Sequence, residues 1–155
     1  MTTEYSSIKI SRSEAEEIAS INFGKKGVAT PLPGELDFNF KICTHNENYI
    51  LKVGRPGENI ERLDFQQKIL NHIEKQEAPF LSPKFLTDLK GKSISSFIDA
   101  NGEKRNIRLL SWIDGRLWSE VNPKTDNLLV GLGEMAGKLT TSLYDFDHPC
   151  AHRAF

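Results

Sequence analysis

The alternation of apolar and polar residues in the first third of the chain predicts one helix followed by three strands. Ser11 and Glu14 have the spacing of a capping box, and Gly24 is suited to end the helix that they begin. The polar segment THNEN has the length of a hairpin loop, so we expect the strands on either side of it to pair antiparallel. The three strand-like runs cover residues 28–32, 37–43 and 49–53.

The apolar period becomes helical at residues 58–75, where Leu63, Leu70 and Ile73 recur on one side. Two further strand-like runs, 93–98 and 107–113, flank an Asn-Gly pair that is typical of a tight hairpin. Antiparallel strands interrupted by one long helix predict an α+β fold. We expect a sheet of about five strands with the long helix packed on it, preceded in the chain by an N-terminal helix and followed by a C-terminal helix. The last predicted helix, 125–144, carries an apolar stripe formed by Leu128, Leu132, Met135, Ala136, Leu139 and Leu143.

The composition is that of an ordinary globular protein, with 38% hydrophobic and 26% charged residues. A length of 155 residues favours a single domain, 1–155. The 20 basic and 21 acidic side chains give no basic surface for nucleic acid, and no apolar segment has the length of a membrane span. Two cysteines are too few for a disulfide framework. We therefore expect a cytoplasmic protein, with neither nucleic acid nor membrane as a partner.

The first candidate for chemistry is the segment LPGELDFNF, between the first two predicted strands. Gly34 permits a close backbone approach and Asn39 offers a side-chain donor, so this turn could direct N–H groups at an anion. Gly, Pro and Asp are also typical of an ordinary β-turn, which is the alternative interpretation.

The second candidate is Lys52, in the middle of the strand-like run NYILKV. Successive side chains of a strand point to opposite faces, so Lys52 shares a face with Ile50. A compact ammonium suits phosphate binding, although a single strand lysine is more commonly a solvated side chain. The order of elements favours phosphate binding, because a turn, a strand lysine, a helix and a strand that ends at Asp114-Gly115 are typical of the small lobe of a kinase.

Five segments together resemble the N-terminal lobe of the aminoglycoside phosphotransferase family: LPGELDFNFKI, YILKV, LDFQQKILNHI, RLLSWIDGRLWSEV and LGEMAGKLTTSLYDFDHP. The similarity extends over residues 11–155 and is greatest to the hydroxylysine-kinase-like branch, whose bacterial versions include fusions to a class III aminotransferase. The resemblance implies that Lys52 holds the α and β phosphates of ATP. It further implies a cover over the triphosphate, which includes Gly34, Glu35, Phe38 and Asn39, and an adenine-binding hinge of Ser111, Trp112 and Ile113.

The sequence departs from this family in two respects. The helical register places Gln66 where such kinases carry a glutamate that pairs with the strand lysine, with Glu61 and Asp64 as nearby substitutes. A neutral amide provides a hydrogen bond to an ammonium but no Coulomb attraction. The family's catalytic His-x-Asp loop and its later metal-binding Asp are absent from the sequence. We therefore assign no catalytic and no metal-binding residue, and expect Mg²⁺ only together with the second lobe.

Two other motifs receive structural interpretations. Gly131, Gly133 and Gly137 lie within the last predicted helix with no strand before them, which favours helix packing over a dinucleotide loop. The segment 148–152 contains metal-ligand residue types, but Pro149 interrupts its geometry and a fourth ligand is not evident. We expect a surface loop there.

Two functional hypotheses follow from the sequence. In the first, the chain is the nucleotide-binding lobe of a phosphotransferase that transfers the γ-phosphoryl group of ATP to a hydroxyl of a small, amine-bearing substrate. The chain ends just after a helical pattern, so we expect it to be a piece of a longer protein and to be inactive without its C-terminal lobe. In the second, it is a non-catalytic binding module whose final helix, 125–145, docks a neighbouring domain or forms a dimer.

Overall fold

The computed structural model describes residues 9–152. Within this range the chain forms two compact units: unit 1 comprises residues 9–58 and 85–112, and unit 2 comprises residues 59–84 and 113–152. The ends of the predicted lobe, 1–8 and 153–155, lie outside the described residues. The assignment of the whole chain to one lobe stays a prediction.

Unit 1 begins with the helix α1, Arg12–Phe23. The predicted capping box is present, since the Glu14 N–H donates to Ser11 Oγ at 3.2 Å and the Ser11 N–H donates to a Glu14 carboxylate oxygen at 2.7 Å. Gly24 ends the helix with φ 66°, a left-handed conformation that glycine adopts without a steric penalty. The start and the end of α1 are therefore confirmed.

Unit 1 also contains an antiparallel sheet, and the predicted α+β class is confirmed. Its strand order is β1-β2-β3-β6-β4, and β5 also pairs with β6. The β2–β3 and β5–β6 hairpins both form as predicted. The strands are β1 (Val28–Leu32), β2 (Phe38–Cys43), β3 (Asn48–Val53), β4 (Phe85–Leu86), β5 (Ser95–Ile98) and β6 (Lys104–Ser111).

Two strands differ from the prediction. The sequence does not predict β4, because a strand of 2 residues is too short to show an alternating pattern. The strand predicted at 107–113 instead spans Lys104–Ser111. The Gly102 N–H donates to the Asp99 carbonyl at 3.0 Å, and this tight turn brings Lys104 opposite Ile98. The hairpin therefore adds paired residues at the start of β6.

The helix α1 covers one face of the sheet. The core on this face includes Phe40, Leu51 and Leu109, from three neighbouring strands, each at most 3% exposed. Because side chains alternate along a strand, the residues next to these in sequence point to the opposite face. The opposite face carries Asn39, Lys52 and Arg108.

Unit 2 contains the helices α2 (Ile60–Lys75) and α3 (Asp126–Ser142). Asn59 caps α2 by accepting the Glu61 N–H at 2.8 Å, so the helix begins at Ile60 rather than at residue 58. Leu63 and Ile73 are buried, in agreement with the predicted apolar side of α2. The packing of α2 on the sheet stays a prediction. None of the helices within residues 9–152 has the length and apolar character needed to cross a membrane.

The apolar stripe of α3 is exposed. Leu128 and Leu139 are each 40% exposed, Met135 is 43% exposed, and Leu132 is 50% exposed. A row of exposed apolar side chains is typical of interaction surfaces, and the predicted docking or dimerisation through α3 stays a prediction.

The segment predicted as a surface loop at 148–152 is in part buried. His148 is only 7% exposed, and its Nε2 lies 3.1 Å from Asp64 Oδ2. Its Nδ1 accepts the N–H of Cys150 at 3.1 Å, at the start of the 3-10 turn Pro149–Ala151. The expectation of a surface loop is therefore wrong for His148. The prediction relied on Pro149, and a proline indicates a break in regular secondary structure but not whether its neighbours are buried.

Candidate functional site

Three polar side chains lie side by side across the middle of the sheet. Asn39 on β2 is opposite Lys52 on β3, and Lys52 is opposite Arg108 on β6. Directly opposed residues of neighbouring strands have Cβ atoms about 4.5–5.5 Å apart on one face. We call these three residues the polar row. It lies on the sheet face that α1 leaves free.

Asp37, at the end of the β1–β2 turn, connects two members of the polar row. Its Oδ2 lies 3.3 Å from Lys52 Nζ and 2.7 Å from Arg108 NH2. The side chains of Lys52 and Asp37 are 29% and 13% exposed. Lys52 is thus held by the turn, and its interpretation as a freely solvated strand lysine is wrong.

Arg108 has a second carboxylate partner, Glu58, whose Oε1 lies 3.2 Å from Arg108 NH1. Burial raises the pKa of the Glu58 carboxyl; the charge of Arg108 counteracts this effect and the charge of Asp37 adds to it. Four charges of alternating sign therefore follow one another from Glu58 through Arg108 and Asp37 to Lys52. We call these four residues the charge line.

A glycine makes room for the outer end of the charge line. A Cβ atom at Gly54 would lie 2.7 Å from Glu58 Cδ, which is far inside van der Waals contact. The Gly54 N–H donates to the Asn106 carbonyl at 2.8 Å, so this backbone is fixed to the sheet. Any larger residue at this position would displace Glu58 from Arg108.

The β1–β2 turn packs tightly against the polar row. Asn39 Nδ2 donates to the Pro33 carbonyl at 3.1 Å, and a Cβ atom at Gly34 would lie 2.5 Å from the Asp37 carbonyl. The exposed Glu35 contributes its carbonyl, which accepts a hydrogen bond from Arg55 NH2 at 2.7 Å. The turn is therefore closed by specific contacts that only glycine at position 34 permits.

Two buried polar atoms of the polar row have no hydrogen-bond partner within residues 9–152: Asn39 Oδ1 and Arg108 Nε. Buried polar atoms without a partner are rare in folded proteins. The unpaired Arg108 Nε retains a donor and the unpaired Asn39 Oδ1 an acceptor. The unpaired Arg108 Nε–H suits an anion such as a phosphate oxygen, whereas the unpaired Asn39 Oδ1 accepts hydrogen bonds and suits a donor.

The other residues predicted for the turn and the hinge lie in different settings. Phe38 lies on the other face from the polar row and packs against the core. Trp112, a predicted hinge residue, already uses its backbone N–H, which donates to the Asn48 carbonyl at 3.2 Å, and its ring lies 4.4 Å from Lys41 Nζ. Ser111 ends β6 opposite Tyr49. Ile113, the third predicted hinge residue, belongs to unit 2.

Gln66 lies on α2 and is exposed, and its role as the partner of Lys52 stays a prediction. Of the two substitutes considered with it, Asp64 is engaged within unit 2. Asp64 Oδ2 lies 2.8 Å from Lys68 Nζ and 3.1 Å from His148 Nε2. Hydrogen bonds from these two residues outweigh desolvation and lower the pKa of Asp64.

Sequence reasoning missed three members of the charge line: Asp37, Arg108 and Glu58. Arg108 gave the same signal as Lys52, a charge in the middle of an apolar strand, since it lies between Ile107 and Leu109. Asp37 and Glu58 gave no such signal, because acidic residues in loops are common and these two look ordinary until the strand register is known. Within residues 9–152, no group of three or more His, Cys, Asp or Glu side chains could hold a metal ion.

The sequence profile of the phosphotransferase enzyme family matches residues 28–155 of this chain. Among curated proteins, the hydroxylysine kinase of Bos taurus is 28% identical over 151 residues. The alignment covers 88% of this chain and 39% of that protein. The chain therefore spans about two fifths of the length of this relative.

Solved structures show the same fold. An amicoumacin kinase in complex with AMP-PNP and Ca²⁺ has a TM-score of 0.71 and 13% identity, with coverage of 90% of this chain and 42% of that chain. A microcompartment-associated aminopropanol kinase has a TM-score of 0.69 and 13% identity, with coverage of 92% and 44%. A spectinomycin phosphotransferase in complex with ADP and spectinomycin has a TM-score of 0.63 and 15% identity, with coverage of 93% and 40%. The predicted N-terminal lobe of a kinase-like fold is thus confirmed.

Proposed function

Because this chain belongs to the phosphotransferase enzyme family, we propose that it supplies the nucleotide-binding lobe of an ATP-dependent small-molecule kinase. The observation that carries this proposal is the position of Lys52, which contacts the β1–β2 turn through Asp37 at 3.3 Å. A strand lysine beside a glycine-containing turn is the arrangement with which kinases hold the phosphates of ATP.

In this proposal Lys52 binds the α and β phosphates as a positive point charge. Gly34, Glu35 and Phe38 contribute the backbone that covers the triphosphate, and Asn39 contributes its side chain. For Phe38 only the backbone is suitable, because its side chain packs against the core. Ser111 and Ile113 provide backbone groups for the adenine beside Trp112, whose own N–H is used within the sheet.

The transfer step needs groups that we assign to a C-terminal lobe. In phosphoryl transfer a metal ion bridges the phosphates, and a carboxylate orients the acceptor hydroxyl. The two acids beside the polar row, Asp37 and Glu58, are both paired with Arg108. Magnesium would therefore bind to ligands of the C-terminal lobe together with the nucleotide, and the chain alone would not transfer a phosphoryl group.

The names of two similar proteins suggest the class of acceptor. Hydroxylysine and aminopropanol each combine a hydroxyl with an amine, and both names belong to kinases that resemble this chain. We extend this chemistry to the whole protein as a small amine-bearing alcohol. We place the reaction in the cytoplasm, where ATP is available and where the two free cysteines, Cys43 and Cys150, are expected to stay reduced.

A titration with Mg-ATP followed by backbone amide NMR tests this proposal. We expect shift changes centred on Gly34, Lys52 and Ser111, with weak affinity because a second lobe normally completes the adenine pocket. Lys52→Ala should abolish these changes, and the matched control Lys104→Ala, at an exposed position of β6, should retain them. Changes that persist in Lys52→Ala, or that centre on other parts of the chain, would contradict the proposal.

A further inference from the structure

We propose that Asp37 is the residue that positions Lys52, in the role that such kinases give to an acid on the helix. The inference deepens the proposed function and rests on it for the identity of the ligand. Asp37 Oδ2 lies 3.3 Å from Lys52 Nζ, and both residues belong to unit 1. An opposite charge at this distance in a partly buried setting holds an ammonium more firmly than a neutral amide does.

The position of Asp37 is fixed by its other contact. Arg108 NH2 donates to the same Oδ2 atom at 2.7 Å, and the side chain of Arg108 is 1% exposed. Arg108 is in turn fixed by Glu58, whose two carboxylate oxygens lie 3.2 Å and 3.5 Å from NH1. A planar guanidinium bound to two carboxylates leaves Asp37 little freedom, so Asp37 can hold Lys52 in one orientation.

The helix α2 offers a weaker set of candidates for this role. Gln66 is neutral and exposed. Asp64 is paired with Lys68 at 2.8 Å and with His148 at 3.1 Å. Glu61 lies in the first turn of α2 and is exposed. The charge that the sequence lacks at Gln66 is therefore supplied from the β1–β2 turn.

The opposite role for Asp37 makes the opposite prediction. Asp37 could occupy the place of a phosphate and compete with the nucleotide for Lys52 and Arg108. If so, removing its charge would strengthen nucleotide binding. If Asp37 positions Lys52, removing its charge would weaken binding, because the ammonium would no longer be held toward the phosphates. The sign of the change distinguishes the two roles.

The experiment compares Asp37→Asn with Glu17→Gln, which removes one charge at an exposed position of α1. The first measurement is the affinity for Mg-ATP. We expect Asp37→Asn to weaken binding about tenfold, which corresponds to about 1.4 kcal/mol. Glu17→Gln should leave the affinity unchanged, and Asp37→Glu should recover part of the loss. Stronger or unchanged binding in Asp37→Asn would overturn the proposal.

The second measurement is the ¹H–¹⁵N signal of the Lys52 ammonium, which is visible only when a stable partner slows its exchange with water. We expect this signal in the wild-type chain and in Glu17→Gln, and its loss in Asp37→Asn. Absence of the signal from the wild-type chain would overturn the proposal without any substitution. A wild-type chain that shows the signal but binds no nucleotide would refute the proposed function and leave the Asp37–Lys52 pairing supported.

Discussion

Arg108 NH2 lies 2.7 Å from Asp37 Oδ2 and thereby joins the β1–β2 turn to the strand β6. The two residues are separated by 71 positions in the sequence. The contact is nearly closed to water, because the side chains of Arg108 and Asp37 are 1% and 13% exposed. The ion pair therefore fixes the turn that covers the polar row.

We expect Arg108→Met to destabilise the protein strongly. The substitution would leave Asp37 and Glu58 close together without their shared cation, and breaking a buried ion pair costs about 3–5 kcal/mol. Urea unfolding followed by circular dichroism measures the change. The control Lys104→Met, at an exposed position of the same strand, should change the free energy of unfolding by less than about 0.5 kcal/mol. Equal effects of the two substitutions would contradict a buried role for Arg108.

We expect Gly34→Ala to distort the β1–β2 turn. Its Cβ atom would lie 2.5 Å from the Asp37 carbonyl and would overlap the Asn39 side chain. Overpacking of this kind costs about 1–3 kcal/mol. In the control Gly115→Ala the Cβ atom would have no neighbour within 4 Å, so stability should hold or rise slightly. Thermal unfolding of both variants checks the prediction, and a stable Gly34→Ala variant would show that the turn is not closely packed.

We expect Asp99 to make the protein less stable in acid. Burial alone would raise the pKa of Asp99, but hydrogen bonds from the Glu103 N–H, Arg105 and the Asn101 N–H together lower it below the ordinary value of 3.8. A carboxyl whose pKa is lower in the folded state contributes stability above the unfolded value, and this contribution is lost as the pH falls through the folded pKa.

The free energy of unfolding in urea, measured at pH 7 and near pH 3, tests the role of Asp99. Asp99→Asn should reduce the difference between the two pH values, and Glu17→Gln should leave it almost unchanged. An unchanged difference in Asp99→Asn would show that the pairing with Arg105 contributes no acid sensitivity.

Glu58 should make the protein less stable as the pH rises, which is the opposite of the effect of Asp99. Burial raises the pKa of its carboxyl above 4.5, against the attraction of Arg108. The folded state therefore holds the Glu58 proton more tightly than the unfolded state does, and stability falls as the pH rises through this range. In Glu58→Gln the fall above pH 4.5 should become smaller. A steeper fall in this variant would show that ionised Glu58 stabilises the protein.

We expect the isolated chain to associate through α3. The exposed stripe includes Leu132 and Met135, and covering apolar area favours association by about 25 cal/mol per Å². Leu132→Glu should shift the sedimentation coefficient at high concentration toward that of a monomer. Lys138→Glu changes a charge on the same helix and should have little effect. A wild-type chain that stays monomeric at high concentration would contradict this prediction.

The sequence was informative where a local pattern decides the structure. The capping box of Ser11 and Glu14, the Asn101-Gly102 turn and the lysine of NYILKV each concern residues close together in the chain. The two-residue strand β4 escaped this reasoning because no period can be recognised in it.

The charge line could not be predicted in the same way. Whether Arg108 faces Lys52 or the opposite side of the sheet depends on the register of β3 against β6, and a slip of one residue would exchange the two faces. The register is set by the burial of both strands in the core and by contacts distant in the sequence. For this reason Lys52 was identified and its neighbour on β6, Arg108, was not.

The contact between Asp37 and Lys52 spans only 15 positions, because both residues belong to the β2–β3 hairpin and its entry. Hairpins close within about 1–10 µs, much faster than strands that are distant along the chain find each other. During folding, the Lys52 ammonium would therefore contact the Asp37 carboxylate before β6 pairs with β3 and brings Arg108 next to them. A short peptide that contains this hairpin would therefore already bring Asp37 and Lys52 together. The rest of the sheet would make their contact long-lived.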